Sequence, residues 1–344
     1  MDKNLIKKDE YIKQDIISLL KLSDKAAIKE LYEHADQVKE DYMGKIIHVR
    51  AILEFSNHCC RNCLYCGIRK SNEKIKRYRI EPDEIIKYAL KAEDLGFKTL
   101  ILQSGEDYYY TAEMLEKIIR TIKNNTSLKL TLSIGERTWI EYEKLKLAGT
   151  DRFLLKHETS DPLLYRQLHP DMKYSNRIKC LRDLKSLGYQ TGSGIMVGLP
   201  GQTLESIAND ILLFKTLDID MIGIGPYIPH PDTPLASKFE RSGGYFIPAI
   251  GHFDLEELIY KVIAITRIVT KKTHLPATTG FNVLSDNDIR EKALQRGANV
   301  IMLNITDSDL REFYEIYPAK KELAAKNAET LQGLAEKHKD FQFL

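Results

Sequence analysis

The stretch Glu54-Phe-Ser-Asn-His-Cys-Cys-Arg-Asn-Cys-Leu-Tyr-Cys-Gly67 contains the spacing Cys-x3-Cys-x2-Cys, formed by Cys59, Cys63 and Cys66. Three thiolates this close together can hold three irons of a [4Fe–4S] cube, because such cubes are normally bound by cysteine sulfur. No fourth cysteine follows at a local spacing, so we expect the fourth iron to be open to a small molecule. The loop directly follows Val49 to Phe55, a short apolar run that predicts a strand.

Other readings of the cysteines are weaker. A zinc site usually needs two Cys-x2-4-Cys or Cys/His pairs, and Cys63 with Cys66 is a single pair. A disulfide framework is disfavoured by a count of five cysteines in a long chain that starts without a secretory signal. Cys60 offers an alternative Cys-x2-Cys-x2-Cys register, although the x3-x2 spacing favours Cys59. Cys180 stands alone in a helical stretch and is predicted to be a buried structural thiol.

The composition is that of an ordinary globular protein. The chain has 344 residues, of which 43% are hydrophobic and 29% charged, and its net charge is +2. This balance gives no strong attraction to nucleic acid or to a membrane surface. No stretch is long and apolar enough to cross a bilayer. We therefore expect a protein of the reducing cytoplasm that binds neither nucleic acid nor membrane.

Strand and helix patterns alternate along most of the chain. Eight apolar runs predict strands near residues 49–55, 99–103, 128–133, 152–156, 192–198, 221–225, 276–279 and 300–304. Helical patterns between them cover 82–95, 112–124, 139–148, 175–187, 203–217, 254–270 and 287–296. This order predicts an α/β fold, a (β/α)8 TIM-type barrel, with a doubly wound open sheet as the alternative.

Three regions follow from these patterns. Residues 1–45 are predicted to form an N-terminal helical extension that caps the fold, residues 46–318 the barrel, and residues 319–344 a C-terminal helical tail. Polar clusters follow six of the predicted strands, at 59–66, 104–107, 135–137, 157–159, 198–201 and 226–234. Because chemistry in such barrels gathers at the carboxyl ends of the strands, we expect one shared site on this rim.

The cysteine loop, together with Ser104-Gly105-Glu106 after the second strand, resembles the radical S-adenosylmethionine (radical SAM) superfamily. Within it the chain is similar to the family that contains the [FeFe]-hydrogenase maturase HydE and 3-methylornithine synthase. The matching segments include Met196-Val-Gly-Leu-Pro-Gly-Gln-Thr203, Ile222 to Leu235, Pro276-Ala-Thr-Thr279 and Gly297 to Met302. The likeness spans roughly residues 40–318.

The resemblance implies both the cofactors and the residues that would bind them. It implies a [4Fe–4S] cluster that binds the amino and carboxylate groups of S-adenosylmethionine and cleaves it reductively to a 5′-deoxyadenosyl radical. Cysteines 59, 63 and 66 would bind the cluster. By the resemblance, the SAM-binding positions are Tyr65 near the adenine, Ser104, Gly105 and Glu106 near the amino group, Glu158 at the ribose and Arg177 at the carboxylate.

The substrate positions implied by the resemblance are Lys156, Thr278 and Thr279. Here the sequence departs from the maturase pattern, which usually has Arg where Lys156 stands, and the two cations are not equivalent at a bidentate anion site. The loop after Thr279, the residues at 303 and 307, and the tail beyond Pro318 also differ. These changes lie near the last strands, where a substrate would contact the barrel.

Three functional hypotheses remain at this point. The first is a hydrogenase maturase that processes a small iron-containing synthon, receives electrons from a reductant such as ferredoxin or flavodoxin, and works with other maturases. The second is a related paralogue that acts on a small organic substrate. Such a paralogue would be an amino-acid mutase or an enzyme that acts on a sulfur-containing small molecule. The third is a non-catalytic iron–sulfur scaffold, which would not need the SAM-binding rim.

Overall fold

The computed structural model of the protein describes residues 5–241, 243–278, 289–318, 333 and 342–343. Its strands are β1 (Ile46–Ser56), β2 (Thr99–Ser104), β3 (Lys129–Ser133), β4 (Arg152–Leu154), β5 (Gln190–Val197), β6 (Met221–Pro226), β7 (Phe246–Ile247), β8 (Gly251–His252), β9 (Pro276–Ala277), β10 (Val300–Asn304) and β11 (Gln342–Phe343). Its helices are α1 (Lys13–Leu20), α2 (Lys25–Met43), α3 (Pro82–Asp94), α4 (Ala112–Asn125), α5 (Trp139–Leu147), α6 (Pro162–Leu168), α7 (Tyr174–Ser186), α8 (Leu204–Thr216), α9 (Pro234–Arg241), α10 (Leu255–Thr270), α11 (Ile289–Leu294) and α12 (Ser308–Arg311).

Within the described residues, eight parallel strands form a nearly closed barrel in the order β6-β5-β4-β3-β2-β1-β10-β9. The ends of this order meet again, because Met221 of β6 forms a parallel bridge with His274, just before β9. The amide of Ile222 also donates to the carbonyl of His274 at 2.9 Å. The predicted TIM-type barrel is therefore confirmed, and the open doubly wound sheet is excluded.

The barrel strands are buried on both faces, so most of their residues are apolar or small. The last eight residues of β1, from Val49 to Ser56, are all buried, and β5 is buried from Thr191 to Val197. Helices cover the outside of a parallel barrel and the ring of strands encloses its inside, so strand residues on both faces are buried.

Local signals set several helix starts. Pro82 occupies the first turn of α3, where its missing N–H costs no hydrogen bond. The side chain of Thr111 accepts from the amide of Met114 at the start of α4. Thr138 and Glu141 form a reciprocal capping box at the start of α5.

The N-terminal helices pack on the outer helical layer. Helix α1 lies against α8 and α10, and α2 lies along α10. Lys261 of α10 donates to the carbonyl of Leu22, and the guanidinium of Arg296 lies over the rings of Tyr32 and Tyr260. Of the predicted helical tail, only Gly333, in a helix, and Gln342–Phe343, paired with the start of β1, are described. The rest of that prediction lies outside the described residues.

The sequence patterns miss several short elements. These are α6, α9, α12 and the antiparallel pair β7–β8, none of which the patterns indicated. Helix α6 has a readable start, because Asp161 caps the amides of Leu163 and Leu164 and Pro162 follows it directly. In the described part of the chain, no helix has both the length and the apolar composition to cross a membrane.

Candidate active site

A cavity of about 440 Å³ lies inside the barrel and reaches the carboxyl ends of the strands. It extends from Arg50 and Thr131, deep in the barrel, to the cysteine loop at the rim. The sequence-predicted residues that line it are Cys59, Cys63, Tyr65, Cys66, Ser104, Gly105, Glu106, Lys156, Glu158, Arg177 and Thr278. Cys60 is not among the lining residues, and Thr279 lies outside the described residues.

The cysteine loop is held by a buried amide and by a guanidinium. The Nδ2 of Asn57 donates to the carbonyls of Lys76 at 2.8 Å and Phe313 at 2.7 Å. The guanidinium of Arg77 donates to four carbonyls, those of Asn57, Ile68, Arg69 and Asn72. The sequence between these carbonyls includes all three predicted cluster ligands, so Arg77 fixes the loop at both ends.

The loop after β2 contacts the cysteine loop directly. A Cβ added at Gly105 would lie 2.2 Å from the carbonyl oxygen of His58 and 2.8 Å from the Cβ of Cys59. The amides of Glu106 and Arg61 both approach the sulfur of Cys59 at 3.4 Å. Only glycine allows this close approach of two backbones, which explains the residue type at position 105.

The thiols lie in an environment that opposes their ionisation. Burial raises the pKa of Cys63 to about 12 and also raises the pKa values of Cys59 and Cys66. Neighbouring thiols add to the effect at Cys63 and Cys66, because two negative charges in one site repel each other. A thiolate at these positions therefore needs a positively charged metal beside it.

Four buried or half-buried charged side chains form a chain along the rim. Arg61 binds Glu106 through its Nε at 2.8 Å and lies 3.5 Å from an oxygen of Glu136. The other oxygen of Glu136 accepts from the Nε of Arg177 at 2.8 Å. Glu106 also accepts from the hydroxyl of Tyr108 at 2.9 Å. This charge chain links the cysteine loop to helix α7.

The charge chain contains two residues to which the sequence assigned no role, Arg61 and Glu136. The Gly135-Glu136-Arg137 motif lies on the predicted rim, and this is the signal in the sequence that points to Glu136. Arg177 was predicted to bind a carboxylate, and it already pairs with one, while also donating to the carbonyl of Lys156. Although burial opposes the charge of Arg177, the nearby Tyr165 and Glu136 raise its pKa, so it is a fixed cation.

Glu158 has a strained backbone and a side chain that lines the cavity. Its φ is +64°, in the left-handed region that a bulky residue rarely adopts. Its amide donates to the carbonyl of Gly194 at 2.9 Å, and its carbonyl accepts from Met196 at 3.2 Å. Its buried Oε2 lies 3.1 Å from Lys156 Nζ but makes no hydrogen bond of good geometry in the described structure. Backbone strain of this kind clusters at ligand-binding sites.

Tyr65 and His169 form a fixed pair beside the cysteines. Burial, with Arg177 nearby, lowers the pKa of His169 to about 3, so its ring is neutral. Its Nδ1 lies 3.0 Å from the carbonyl of Tyr165 and must carry the proton that is donated there. Its Nε2 therefore accepts from the hydroxyl of Tyr65 at 3.0 Å. The Tyr65 ring is thus held in one orientation at the cavity wall.

The remaining predicted positions are simpler. The hydroxyl of Ser104 donates to the carbonyl of Gly105 at 2.6 Å, and that of Thr278 donates to Ile224 at 3.2 Å. The hydroxyl of Ser104 is thus used in the loop that follows β2, and that of Thr278 bonds across to β6, while both residues line the cavity. Cys180 is buried in α7 away from the cavity lining, as predicted.

Comparison with known proteins gives consistent results. Residues 53–214 match the family described as the radical SAM superfamily. The chain is 44% identical over 315 residues to the [FeFe] hydrogenase maturase subunit HydE of Thermotoga maritima, covering 92% of this chain and 86% of that protein. It is 29% identical over 289 residues to 3-methylornithine synthase of Methanosarcina acetivorans, covering 83% of this chain and 77% of that protein.

A solved structure supports the same architecture. The crystal structure of methylornithine synthase (PylB) superposes with a TM-score of 0.75 at 26% sequence identity. The match covers 87% of this chain and 84% of that one. The similarity therefore extends over the whole barrel and is not confined to the cysteine loop.

Proposed function

The chain belongs to the radical SAM superfamily, and from that membership we propose that it is a maturase of [FeFe] hydrogenase with a [4Fe–4S] cluster and S-adenosylmethionine as cofactors. The relative that carries this proposal is a HydE subunit that matches nearly the whole chain. When bound, the cluster supplies one electron that breaks a carbon–sulfur bond of S-adenosylmethionine and yields a 5′-deoxyadenosyl radical. The cofactor supplies this chemistry, and the protein orients it and excludes water.

The residues present fit the cluster. Among the described residues, no group of three or more His, Cys, Asp or Glu side chains is arranged to hold a single ion. A cube binds each thiolate at a different iron and is normally held by cysteine sulfur, whereas zinc needs four ligands around one ion. Cys59, Cys63 and Cys66 line the cavity together. The positive charge of the cluster's iron ions would stabilise their thiolates and so offset the raised pKa values.

The charged residues of the rim would bind S-adenosylmethionine. Glu158 would accept the ribose hydroxyls, because its Oε2 lies at the cavity without a well-formed hydrogen bond. Arg177 would meet the carboxylate, while Glu136 on its other side holds the guanidinium in place. Ser104, Gly105 and Glu106 would lie at the amino group and Tyr65 near the adenine.

The single observation that favours substrate chemistry over a scaffold is the cavity itself. A space of about 440 Å³ inside the barrel, bordered by the three cysteines, would hold a small molecule beside the cluster. Lys156 and Thr278 line this space and would contact a small polar or iron-containing synthon. We place the protein in the cytoplasm, with a low-potential reductant such as ferredoxin or flavodoxin and other hydrogenase maturases as partners.

A second candidate is a paralogue acting on a small organic substrate. Its support is the similarity to 3-methylornithine synthase, which is lower in identity and coverage than that to the maturase. The observation that favours it is Lys156, whose single ammonium group pairs with Glu158 and offers a point charge rather than a planar fork. An amino-acid carboxylate could be bound by such a charge.

Two experiments test the proposal. After anaerobic reconstitution, dithionite and S-adenosylmethionine should yield 5′-deoxyadenosine, and Cys66→Ala should yield none. Cys180→Ala is the matched control, because that buried thiol lies outside the cavity and should leave the yield unchanged. Rescue of active hydrogenase in a host that lacks the maturase separates the two candidates. Cleavage without rescue would contradict maturation, and no 5′-deoxyadenosine above the Cys66→Ala background would contradict both.

A further inference from the structure

Reductive cleavage needs one electron from outside the protein, so the cluster must be reachable from a surface. One surface beside the cysteine loop is formed by Arg61, Lys70, Arg79, Tyr108 and Tyr109, which we call the cysteine-loop face. The inference drawn from this face rests on the proposed function.

The members of the cysteine-loop face are contiguous through named contacts. The amide of Lys70 donates to the carbonyl of Arg61 at 2.8 Å. Arg61 binds Glu106, and the hydroxyl of Tyr108 binds the same carboxylate. The guanidinium of Arg79 lies 4.5 Å from the centre of the Tyr109 ring. The loop of Glu106 to Tyr109 therefore has one cation on each side.

The cysteine-loop face lies directly over a predicted cluster ligand. The amide of Glu106 approaches the sulfur of Cys59 at 3.4 Å, and the carbonyl of Glu106 accepts from the amide of Cys60 at 2.9 Å. The backbone that leads into Tyr108 and Tyr109 thus lies against Cys59 at Glu106. A redox group docked on this face would come close to the cluster.

The charge of the neighbouring segment is strongly positive. Residues 61–81 contain seven basic and two acidic residues, whereas the whole chain has a net charge of only +2. The buried acids Glu106 and Asp107 offset Arg61 and Arg79, and Asp232 offsets Lys74. The excess comes from four basic residues, Arg69, Lys70, Lys76 and Arg77, set against the single acid Glu73 in the same segment. Such a surface attracts an acidic partner and raises its rate of association.

The aromatic residues of the face remain open to a partner. Tyr108 is 49% exposed and Tyr109 is 45% exposed, although both are large apolar rings. Tyrosine and arginine are the residue types that dominate the buried centres of protein interfaces. Their flat rings suit the exposed edge of another aromatic system.

We propose that the cysteine-loop face is the docking site of an acidic flavin mononucleotide protein of the flavodoxin type. The acidic partner matches the basic segment, and the edge of its flavin ring would lie against Tyr108 and Tyr109. One electron passes from the flavin hydroquinone to the cluster, so the flavin is oxidised by one electron and the cluster is reduced by one. The same electron is then consumed in the cleavage of S-adenosylmethionine.

Lys70→Glu and Tyr109→Ala test this proposal in the reconstituted holoenzyme. Lys70 is exposed and its side chain has no partner among the described residues, so its reversal should not disturb the fold. At low salt we expect binding of flavodoxin, measured by titration calorimetry, to weaken about 3- to 10-fold in each variant. The defect of Lys70→Glu should shrink in 0.5 M salt, because exposed charges then attract each other only within about 3–5 Å. Flavin oxidation in stopped flow should slow in parallel.

Matched controls lie on α2, which packs along α10 in the outer helical layer and not on the cysteine-loop face. Lys29→Glu replaces another exposed lysine, and Tyr42→Ala removes another exposed tyrosine that has a cation against its ring. Both should bind flavodoxin as the unchanged protein does. Dithionite-driven formation of 5′-deoxyadenosine should be the same in all variants, and its absence in the unchanged protein would refute the proposed function instead. The docking proposal is overturned if Lys70→Glu and Tyr109→Ala bind flavodoxin normally, or if they impair only a ferredoxin.

Discussion

Replacing Arg77 by lysine should release the cysteine loop without removing a charge. The arginine donates through both terminal nitrogens to the carbonyls of Asn57, Ile68, Arg69 and Asn72, at distances up to 3.2 Å. A lysine donates from one nitrogen and cannot reach carbonyls on both sides of the loop. We expect it to keep at most two of the four hydrogen bonds.

The magnitude follows from those lost hydrogen bonds. Each bond from a charged donor contributes about 1.5–3 kcal/mol net, and the half-buried site lets water replace part of that. The loss should therefore be about 3 kcal/mol, near the lower end for two bonds. This is less than the typical stability of a domain, about 5–15 kcal/mol, so the barrel should remain folded. Opening of the loop should become about 100-fold more frequent.

Hydrogen–deuterium exchange measures this opening. In the cluster-free protein, peptides covering residues 57–79 should exchange about 100-fold faster in Arg77→Lys, while peptides from β5 should be unchanged. Iron retained after reconstitution and desalting should fall. Arg120→Lys is the matched control, because that arginine pairs with Glu116 on the exposed surface of α4. Unchanged exchange at residues 57–79 in Arg77→Lys would refute the reasoning that this guanidinium holds the loop.

Three further predictions concern the same loop and its neighbours. Gly105→Ala should retain the fold but bind less than about a tenth of the iron, because its Cβ would lie 2.2 Å from the carbonyl of His58; full iron content measured by colorimetric assay would contradict this. Cys60→Ser should keep the cluster absorbance near 400 nm and Cys59→Ser should lose it, and the reverse result would assign the ligand to the other cysteine. Glu158→Gly should change the melting temperature by only a few degrees, since relief of the strained φ of +64° offsets the lost side chain. The same variant should bind S-adenosylmethionine at least about 10-fold more weakly by equilibrium dialysis, and unaltered affinity would show that Glu158 takes no part in binding it.

Much of the barrel could be predicted because its signals are local. An apolar run bounded by turn residues identifies a strand such as β2. Helix α4 has 14 residues, which is long enough for its amphipathic period to be recognised. Short elements without such a period escape this reasoning. Helix α6 has seven residues and α9 eight, too few for a periodic pattern to stand out.

The site could be predicted in part. The cysteine spacing lies within one loop, and the structure brings all three cysteines to the cavity with most of the residues that the resemblance implied. Their roles in binding the cluster and S-adenosylmethionine remain predictions. The charge chain could not be predicted in full, because Arg61 lies 45 positions from Glu106, and Arg177 lies 41 positions from Glu136. Nothing in a local pattern says which arginine will meet which carboxylate.

The sequence by itself determined the cysteine spacing, the alternation of strands and helices, and the rim on which the polar motifs lie. These depend on residues that are neighbours in the chain, where backbone geometry fixes what each pattern can form. Only the tertiary structure decided that Cys59 lines the cavity and Cys60 does not, and that Glu136 separates Arg61 from Arg177. Those outcomes depend on how the barrel closes, which sets the distances between residues that lie far apart in the chain.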